Sequence, residues 1–394
     1  MSSSAPRAPY AIPVTAVLVL CTVLGLAGTD LVLPAVPGLP GALGGNLAQA
    51  QLVLATFAAG TGIGLLLFGE LGARFDQRGM LAVSLALFAA ASAAAALATS
   101  LPLLIALRFL QGVSASCAAV VAPGMVRALF SEQGAIRALG FLGSVESLAP
   151  AIAPIIGVWL LQRYGWQGSF WVTAAGAALL CLAVLVARPL MPPLRGRASR
   201  MGYWLLLRNA AFQRHALSQG LALAALLVFV FAMPTVFVVA LGGALQDFIL
   251  MQLIGISSFI VAANLSARLV ERLGAERTIV FGSVLALSGT LALLVYGATG
   301  GRSAVVIWAL FVPLNMGFGF RGPPAFFTAL QSSDGDDGRA SALIILYVML
   351  CTAAGTALLA PLVELGLTPA AAAASLLAGL SLLLLHLLRT TAER

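Results

Sequence analysis

The chain contains no lysine, so all 21 of its basic residues are arginine. Charge of either sign is scarce: charged residues make up 9% of the 394, against 61% hydrophobic residues and a mean hydropathy of +1.05. No water-soluble surface can be assembled from that composition. The missing lysine also leaves no way to complete a phosphate-binding loop of the form G-x-x-x-x-G-K-[ST], which excludes the usual route to ATP hydrolysis. Cys21, Cys117, Cys181 and Cys351 stand singly inside apolar runs, without the paired spacing of a disulfide framework or metal site. The two histidines, His215 and His386, fall near the ends of such runs and read as interfacial residues. Nor is there a nucleophile with a base at workable spacing, or a large polar loop to hold an active site. Neither enzyme nor cofactor is expected.

What the sequence does have is apolar runs of membrane-crossing length. Twelve are read as helices: 12–36, 49–72, 80–99, 102–126, 139–162, 168–188, 215–240, 248–269, 278–298, 304–327, 341–363 and 368–388. A hydrocarbon core of about 30 Å takes roughly 20 residues to cross as a helix, and lipid offers backbone groups no partners outside one. The fold class is therefore all-α integral membrane. The first run is too long, and too well followed by others, for a cleaved signal peptide. With the N-terminus inside, seventeen arginines fall in cytoplasmic segments and two, Arg163 and Arg302, outside. This bias places both termini in the cytoplasm. The net charge of +8 then reports topology and calls for no nucleic-acid partner.

The longest polar connection, "RPLMPPLRGRASRMGYWLLLRNAAFQR", separates six spans from six. The expected domains are an N-terminal bundle at 1–188, a basic cytoplasmic linker at 189–214 and a C-terminal bundle at 215–394. "ARFDQR" and "ARLVER" echo each other after the second and eighth spans. Six plus six is the parallel-repeat plan of transporters that bind substrate near the midplane. Small residues at helical spacing line the fifth span, with Gly143, Ala149, Pro150, Ala153 and Gly157 beside Glu146. Gly60 and Gly64 do the same in the second. Small side chains of this kind let helices approach closely.

The rare charges inside these runs are the functional candidates. Asp30 lies near the end of the first; a carboxylate there costs about 2.5–3.5 kcal/mol to insert and survives facing a wet cavity or a partner. Loss of water penalises its ionised form, which makes it a candidate proton carrier. Pro34, four residues on, removes the donor for the Asp30 carbonyl, so the helix is expected to bend there. Glu146 repeats the arrangement, with Pro150 and Pro154 following. Arg108 stays charged and needs an acid, an anionic ligand or the interface. Pairing with Asp30 when that site is deprotonated would couple proton loss to helix movement. Arg321, in "GFGFRGPPAFF", reads as a residue reaching out to the inner interface. Thr29, Gln111, Gln219, Asn264 and Asn315 are the polar candidates for lining a substrate cavity.

These residues carry a resemblance. "RFLQGVSAS", with Arg108, Gln111 and Gly112, resembles the R-x-x-Q-G motif of the major facilitator superfamily. In the fifth span, Gly140, Ala149, Ala153, Pro154 and Gly157 are similar in spacing to the superfamily's antiporter motif, with alanine replacing two of its glycines. "GELGARFDQR" is a degraded form of its loop motif G-x-L-x-D-R-x-G-R-R, keeping Gly69, Arg74 and Arg78. "TDLVLPAVPGLP", "LAPAIAPIIG", "YGWQGSF" and "GRASAL" are similar to the bicyclomycin and chloramphenicol resistance (Bcr/CflA) branch of drug:proton antiporters. The resemblance implies that Asp30 couples proton and substrate, that Arg108 senses its protonation, and that Pro150, Pro154 and Gly157 set the direction of exchange through a bend. The departures are Ala73 for the loop aspartate, Asp76 for a loop glycine, and Ala128 after Arg127. Arg74 and Arg78 thereby lose their family partners, with Glu70 and Asp76 at hand to replace them.

The expectation is a monomeric, proton-driven antiporter in a bacterial cytoplasmic membrane, exporting small amphipathic drugs or metabolites. The proton gradient is its energy source, and its partners are substrate, protons and lipid. The alternatives are an uptake symporter or facilitator for a small sugar or amino acid and, from another class, a non-transporting membrane protein.

Overall fold

The computed structural model describes residues 10–194, 203–333 and 337–387, without the side chains of Ala73, Glu132, Ile136, Ser144, Ser147, Asp337 and Gly338. Arg7, Arg195, Arg197, Arg200, Arg389 and Arg394, part of the charge bias, lie outside the described residues. So does the missing-aspartate question at the Ala73 side chain. Among the described residues, twelve helices are long and apolar enough to cross a membrane. They are α1 (Ala11–Asp30), α2 (Leu47–Arg74), α3 (Gln77–Ala96), α4 (Leu101–Leu129), α5 (Glu132–Tyr164), α6 (Gln167–Ala187), α7 (Ala210–Thr235), α8 (Leu245–Leu273), α9 (Ala275–Ala298), α10 (Ala304–Gln331), α11 (Asp337–Leu359) and α12 (Leu367–Leu387). No strand occurs among the described residues.

The chain forms two compact units, one of residues Met1–Gly44 and Thr56–Ala198, the other of Gly45–Ala55 and Ser199–Arg394. The division falls inside the basic connection, and the start of α2 groups with the second unit. In the first unit α1 packs on α4, α5 and α6, while α3 packs on α4 and α6. Its core gathers Leu18, Leu81, Leu85, Cys117, Val121 and Met125, and brings Cys21 into the same cluster with Cys181 against it. Three of the four cysteines that stand apart in sequence thus converge, as free thiols. Glycine sets the spacing of α2 and α4: a Cβ at Gly112 would fall on the Phe57 carbonyl and 2.8 Å from the Thr61 nitrogen. Gly60 and Gly64 meet the Phe109 and Val113 backbone in the same way.

In the second unit α7 packs on α10, α11 and α12, and α10 packs on α8 and α9. A Cβ at Gly317 would strike the Ala286 nitrogen, and Gly289 lies as tightly against Leu314. Phe229 stacks on Phe311 at 5.6 Å and Phe259 on Phe318 at 5.7 Å, filling what the glycines leave.

Three sequence expectations are corrected. The α-helix does not bend at Asp30 and run on to 36; it ends there, and a 3-10 turn over Leu33–Gly38 and a short helix over Leu39–Leu43 follow. The linker does not reach 214, because Asn209 caps a helix by accepting the Phe212 N–H at 3.1 Å and α7 starts at Ala210. Arg214 is thus 1% exposed, paired with Glu276 and bonded to the Leu385 carbonyl, and His215 beside it is buried rather than interfacial. Third, Arg321 does not reach the interface. It is 1% exposed and donates to the hydroxyls of Ser381 (2.6 Å) and Ser218 (2.9 Å), on α12 and α7.

Candidate transport site

The end of α1 is where the sequence stops being able to make a helix. Pro34 has no N–H to give the Asp30 carbonyl. The ladder tightens around it: the Val32 N–H turns to the Thr29 carbonyl and the Ala35 N–H to that of Val32. In an uninterrupted α-helix those two donors would serve Gly28 and Leu31. Both freed carbonyls are taken by side chains of other helices. Arg108 Nη1 on α4 donates to Gly28 at 2.9 Å, and Ser169 Oγ on α6 donates to Leu31 at 2.7 Å. Gly157 on α5 closes the site from another side, since a Cβ there would stand 2.6 Å from the Leu31 oxygen. Leu31 also packs with Ala153 and Leu160 of α5.

Arg108 is fully buried. Besides the Gly28 carbonyl it holds the Gln111 Oε1 at 3.2 Å, and Gln111 passes the network on to the Ser92 hydroxyl of α3 at 2.7 Å. Its guanidinium lies 4.1 Å from the centroid of Phe57 and 5.9 Å from that of Phe170. A planar cation is suited to this mixture of backbone acceptor, amide and aromatic faces. Among the described residues no ion pair joins it to Asp30: the guanidinium reaches the backbone two residues short of the carboxylate. Among the described residues Asp30, half-buried, has neither a hydrogen bond nor an ion pair. Thr29 next to it is buried.

Glu146 on α5 is half-buried, and its carboxyl lies against the Thr22 hydroxyl of α1. α5 passes through Pro150 and Pro154 as one continuous helix. Of its small-residue stripe, Ala149, Ala153 and Gly157 are buried, whereas Gly143 is exposed with open space around it.

The polar cavity candidates separate by behaviour. Gln111 is buried and hydrogen-bonded at both ends of its amide, to Arg108 and Ser92. In the second unit Gln219 is buried with its Oε1 unpartnered. Asn315 is buried and bonded to the Phe311 carbonyl at 3.0 Å, while Asn264 is exposed and bonded to Ile260 at 2.8 Å. A shallow, open groove on this unit is bordered by Leu253, Ile254, Ser257, Ser258 and Val261 of α8 and Met316 of α10. Asn264 follows Ser257 and Val261 at helical spacing, and Asn315 precedes Met316. The walls are apolar with two hydroxyls, a surface that accepts lipophilic matter and fixes orientation weakly.

The turn between α2 and α3 finds local partners for its arginines. Gly69 precedes Glu70, which pairs with Arg74 at 2.8 Å. Asp76 caps α3, pairs with Arg78 at 3.0 Å and reaches Arg188 at 3.6 Å. Partial burial pushes the Asp76 carboxyl up, but hydrogen bonds and charge from Arg78, with the charge of Arg188, outweigh it and hold the group below the usual carboxylate range. Arg78 also donates to the carbonyls of Arg188 and Met191, both at 3.4 Å, and the Gln77 N–H to that of Leu194 at 3.2 Å. The stretch after α6 is thereby strapped across the turn.

Sequence reasoning missed Ser169, Phe57, Ser92 and Thr22. Ser169 sits in the quoted "YGWQGSF", but nothing local marks its hydroxyl as the partner of a distant carbonyl.

The Major Facilitator Superfamily profile matches residues 18–358. The chain belongs to that superfamily, a family of membrane transporters. Multidrug resistance protein MdtL of Escherichia coli O45:K1 (strain S88 / ExPEC) is 28% identical over 220 residues, 55% of this chain and 56% of that protein. MdtL of Shigella dysenteriae serotype 1 (strain Sd197) is 28% identical over 219 residues, with the same coverage. The chain thus spans about half the length of the curated relatives it matches. Among solved structures, the POT family transporter PepTSo superposes with a TM-score of 0.75 at 14% identity, over 97% of both chains. A D-xylose-proton symporter gives 0.73 at 16%, over 97% of this chain and 98% of its own. At those identities the structures speak to the fold.

Proposed function

We propose that this chain is a proton-coupled exporter of small, partly apolar molecules, working by alternating access in a bacterial cytoplasmic membrane as a monomer with both termini inside. The observation that carries the reading is Asp30, a half-buried carboxyl without a hydrogen bond or ion pair among the described residues, set between two carbonyls held by Arg108 and Ser169. An ionised carboxylate without compensation is costly inside a membrane protein, and a proton is the simplest ligand that removes the cost. Asp30 takes up a proton when open to the outside and gives it up inside. Glu146 against Thr22 is the second acid, and Arg108 holds the end of α1 through the cycle. Substrate and proton need only favour different states for exchange to be coupled, and the proton gradient is the sole energy source required. The apolar lining of the open groove between α8 and α10 is compatible with a lipophilic substrate, and the relatives' name, multidrug resistance protein, agrees with export.

The test is purified protein in liposomes with an imposed pH gradient and an internal pH probe, challenged with phenicols, bicyclomycin and lipophilic cations. Drug-dependent proton flux, lost in Asp30→Asn, is the expected result. Flux that survives the substitution moves the proton site to Glu146. Cellular accumulation of a sugar or amino acid, abolished by uncoupler, replaces export with uptake.

A further inference from the structure

We propose that Ser169 is a positioning residue for the Asp30 proton site, holding the end of α1 through the Leu31 carbonyl; this rests on the exporter reading above. The Ser169 hydroxyl is 2% exposed and spends its proton on the Leu31 oxygen at 2.7 Å. A buried serine on a helix commonly bonds its own preceding turn, as Thr173 does by donating to the Ser169 carbonyl at 2.7 Å. Ser169 instead bonds across to another helix, where the 3-10 turn has left a carbonyl without its usual donor. A buried carbonyl in that condition costs more than the bond gains, so its partner fixes where the backbone stops.

Position then follows from sequence order. Gly28 and Leu31 are each clasped from a different helix, and Thr29 and Asp30 are the two residues between them. The carboxylate is thereby carried on a segment pinned at both sides, with Gly157 of α5 pressed on the Leu31 carbonyl. Ser169 touches backbone alone, so it acts on the rate of the cycle and leaves the affinity for drug unchanged. The elements packed on α1 bring Arg108 and Glu146 close; over Gln167–Ala187 α6 itself carries no carboxylate or basic side chain. Its influence on Asp30 is therefore geometric.

The experiment compares wild type, Ser169→Ala and Ser169→Cys in the same liposomes, and follows amide hydrogen exchange over residues 31–36. Cysteine keeps the volume but is a weak donor. The expected result is drug-dependent proton flux slowed about tenfold in both variants at unchanged apparent KM, the equivalent of one lost buried hydrogen bond, with faster exchange confined to 31–36. Wild-type flux and exchange in the cysteine variant would reduce Ser169 to packing and overturn the proposal, as would a rise in KM that accounts for the whole effect. If wild type shows no drug-dependent flux at all, the exporter reading fails by itself, and the exchange data still decide whether Ser169 holds α1.

Discussion

The guanidinium carbon of Arg108 sits 4.1 Å from the centroid of Phe57, while its Nη1 reaches the Gly28 carbonyl at 2.9 Å. A face of one helix and the broken end of another are joined through one cation. Lysine offers a point charge where this site uses a plane, so Arg108→Lys loses either the ring or the carbonyl. The expected cost is about 1.5–3 kcal/mol, the range of a buried hydrogen bond to a charged group. It is to be read as a lowered thermal midpoint of the detergent-solubilised protein. Unchanged stability in Arg108→Lys would mean the guanidinium is not the brace.

Gly157 marks the closest approach of α5 to α1. A methyl there would stand 2.6 Å from the Leu31 oxygen and 3.1 Å from its carbon, both backbone atoms that cannot swing aside. Gly157→Ala should therefore destabilise by about 1–3 kcal/mol, the cost of overpacking. Gly143→Ala, on the same helix with nothing within 4 Å, serves as the control and should leave the midpoint unchanged or slightly raised, alanine being the better helix former by about 0.5–1 kcal/mol. Equal effects at the two positions would remove the close contact from the account.

The break in α1 was legible in the sequence because its cause is local: Pro34 stands four residues after Asp30. How it ends was not, since the side chains that take the freed carbonyls come from 80 and 138 residues away. The same limit explains Arg321. Its neighbours in sequence place it near the inner end of an apolar run, but the serines that hold it belong to α7 and α12. Arg214 was misplaced because the composition of the connection hid the cap at Asn209. Charge arithmetic along the chain finds which residues are unusual, whereas packing decides what they touch.

Asp76 ties the stretch after α6 to the α2–α3 turn through Arg78 and Arg188. Its carboxyl is held below the ordinary value near 3.9, so the tie is fully present above that pH and is lost as pH falls through the lowered value. Amide exchange at Gln77 and Met191 should accordingly be slow at neutral pH in wild type and fast in Asp76→Asn at every pH. The Glu70→Gln variant breaks an exposed pair and should leave these amides alone. Protection that persists in Asp76→Asn would show that Met191, buried in the adjoining core, suffices to hold the strap.

Arg321 poses the reverse problem, a buried guanidinium with no ion pair among the described residues and its Nε unpartnered. Ser218 and Ser381 each donate to the other's backbone carbonyl, at 2.9 and 2.7 Å, as well as accepting from the arginine. Removing the cation therefore leaves the serines satisfied, whereas removing the serines leaves the cation stranded. Arg321→Met should be neutral or stabilising for the folded protein, while Ser218→Ala with Ser381→Ala should cost about 3–5 kcal/mol. Thermal midpoints of the two variants decide it. If the methionine variant is the less stable, the guanidinium is compensated by something other than these hydroxyls. If it is the more stable but transports poorly, the buried charge is kept at a cost in stability for the conformational cycle.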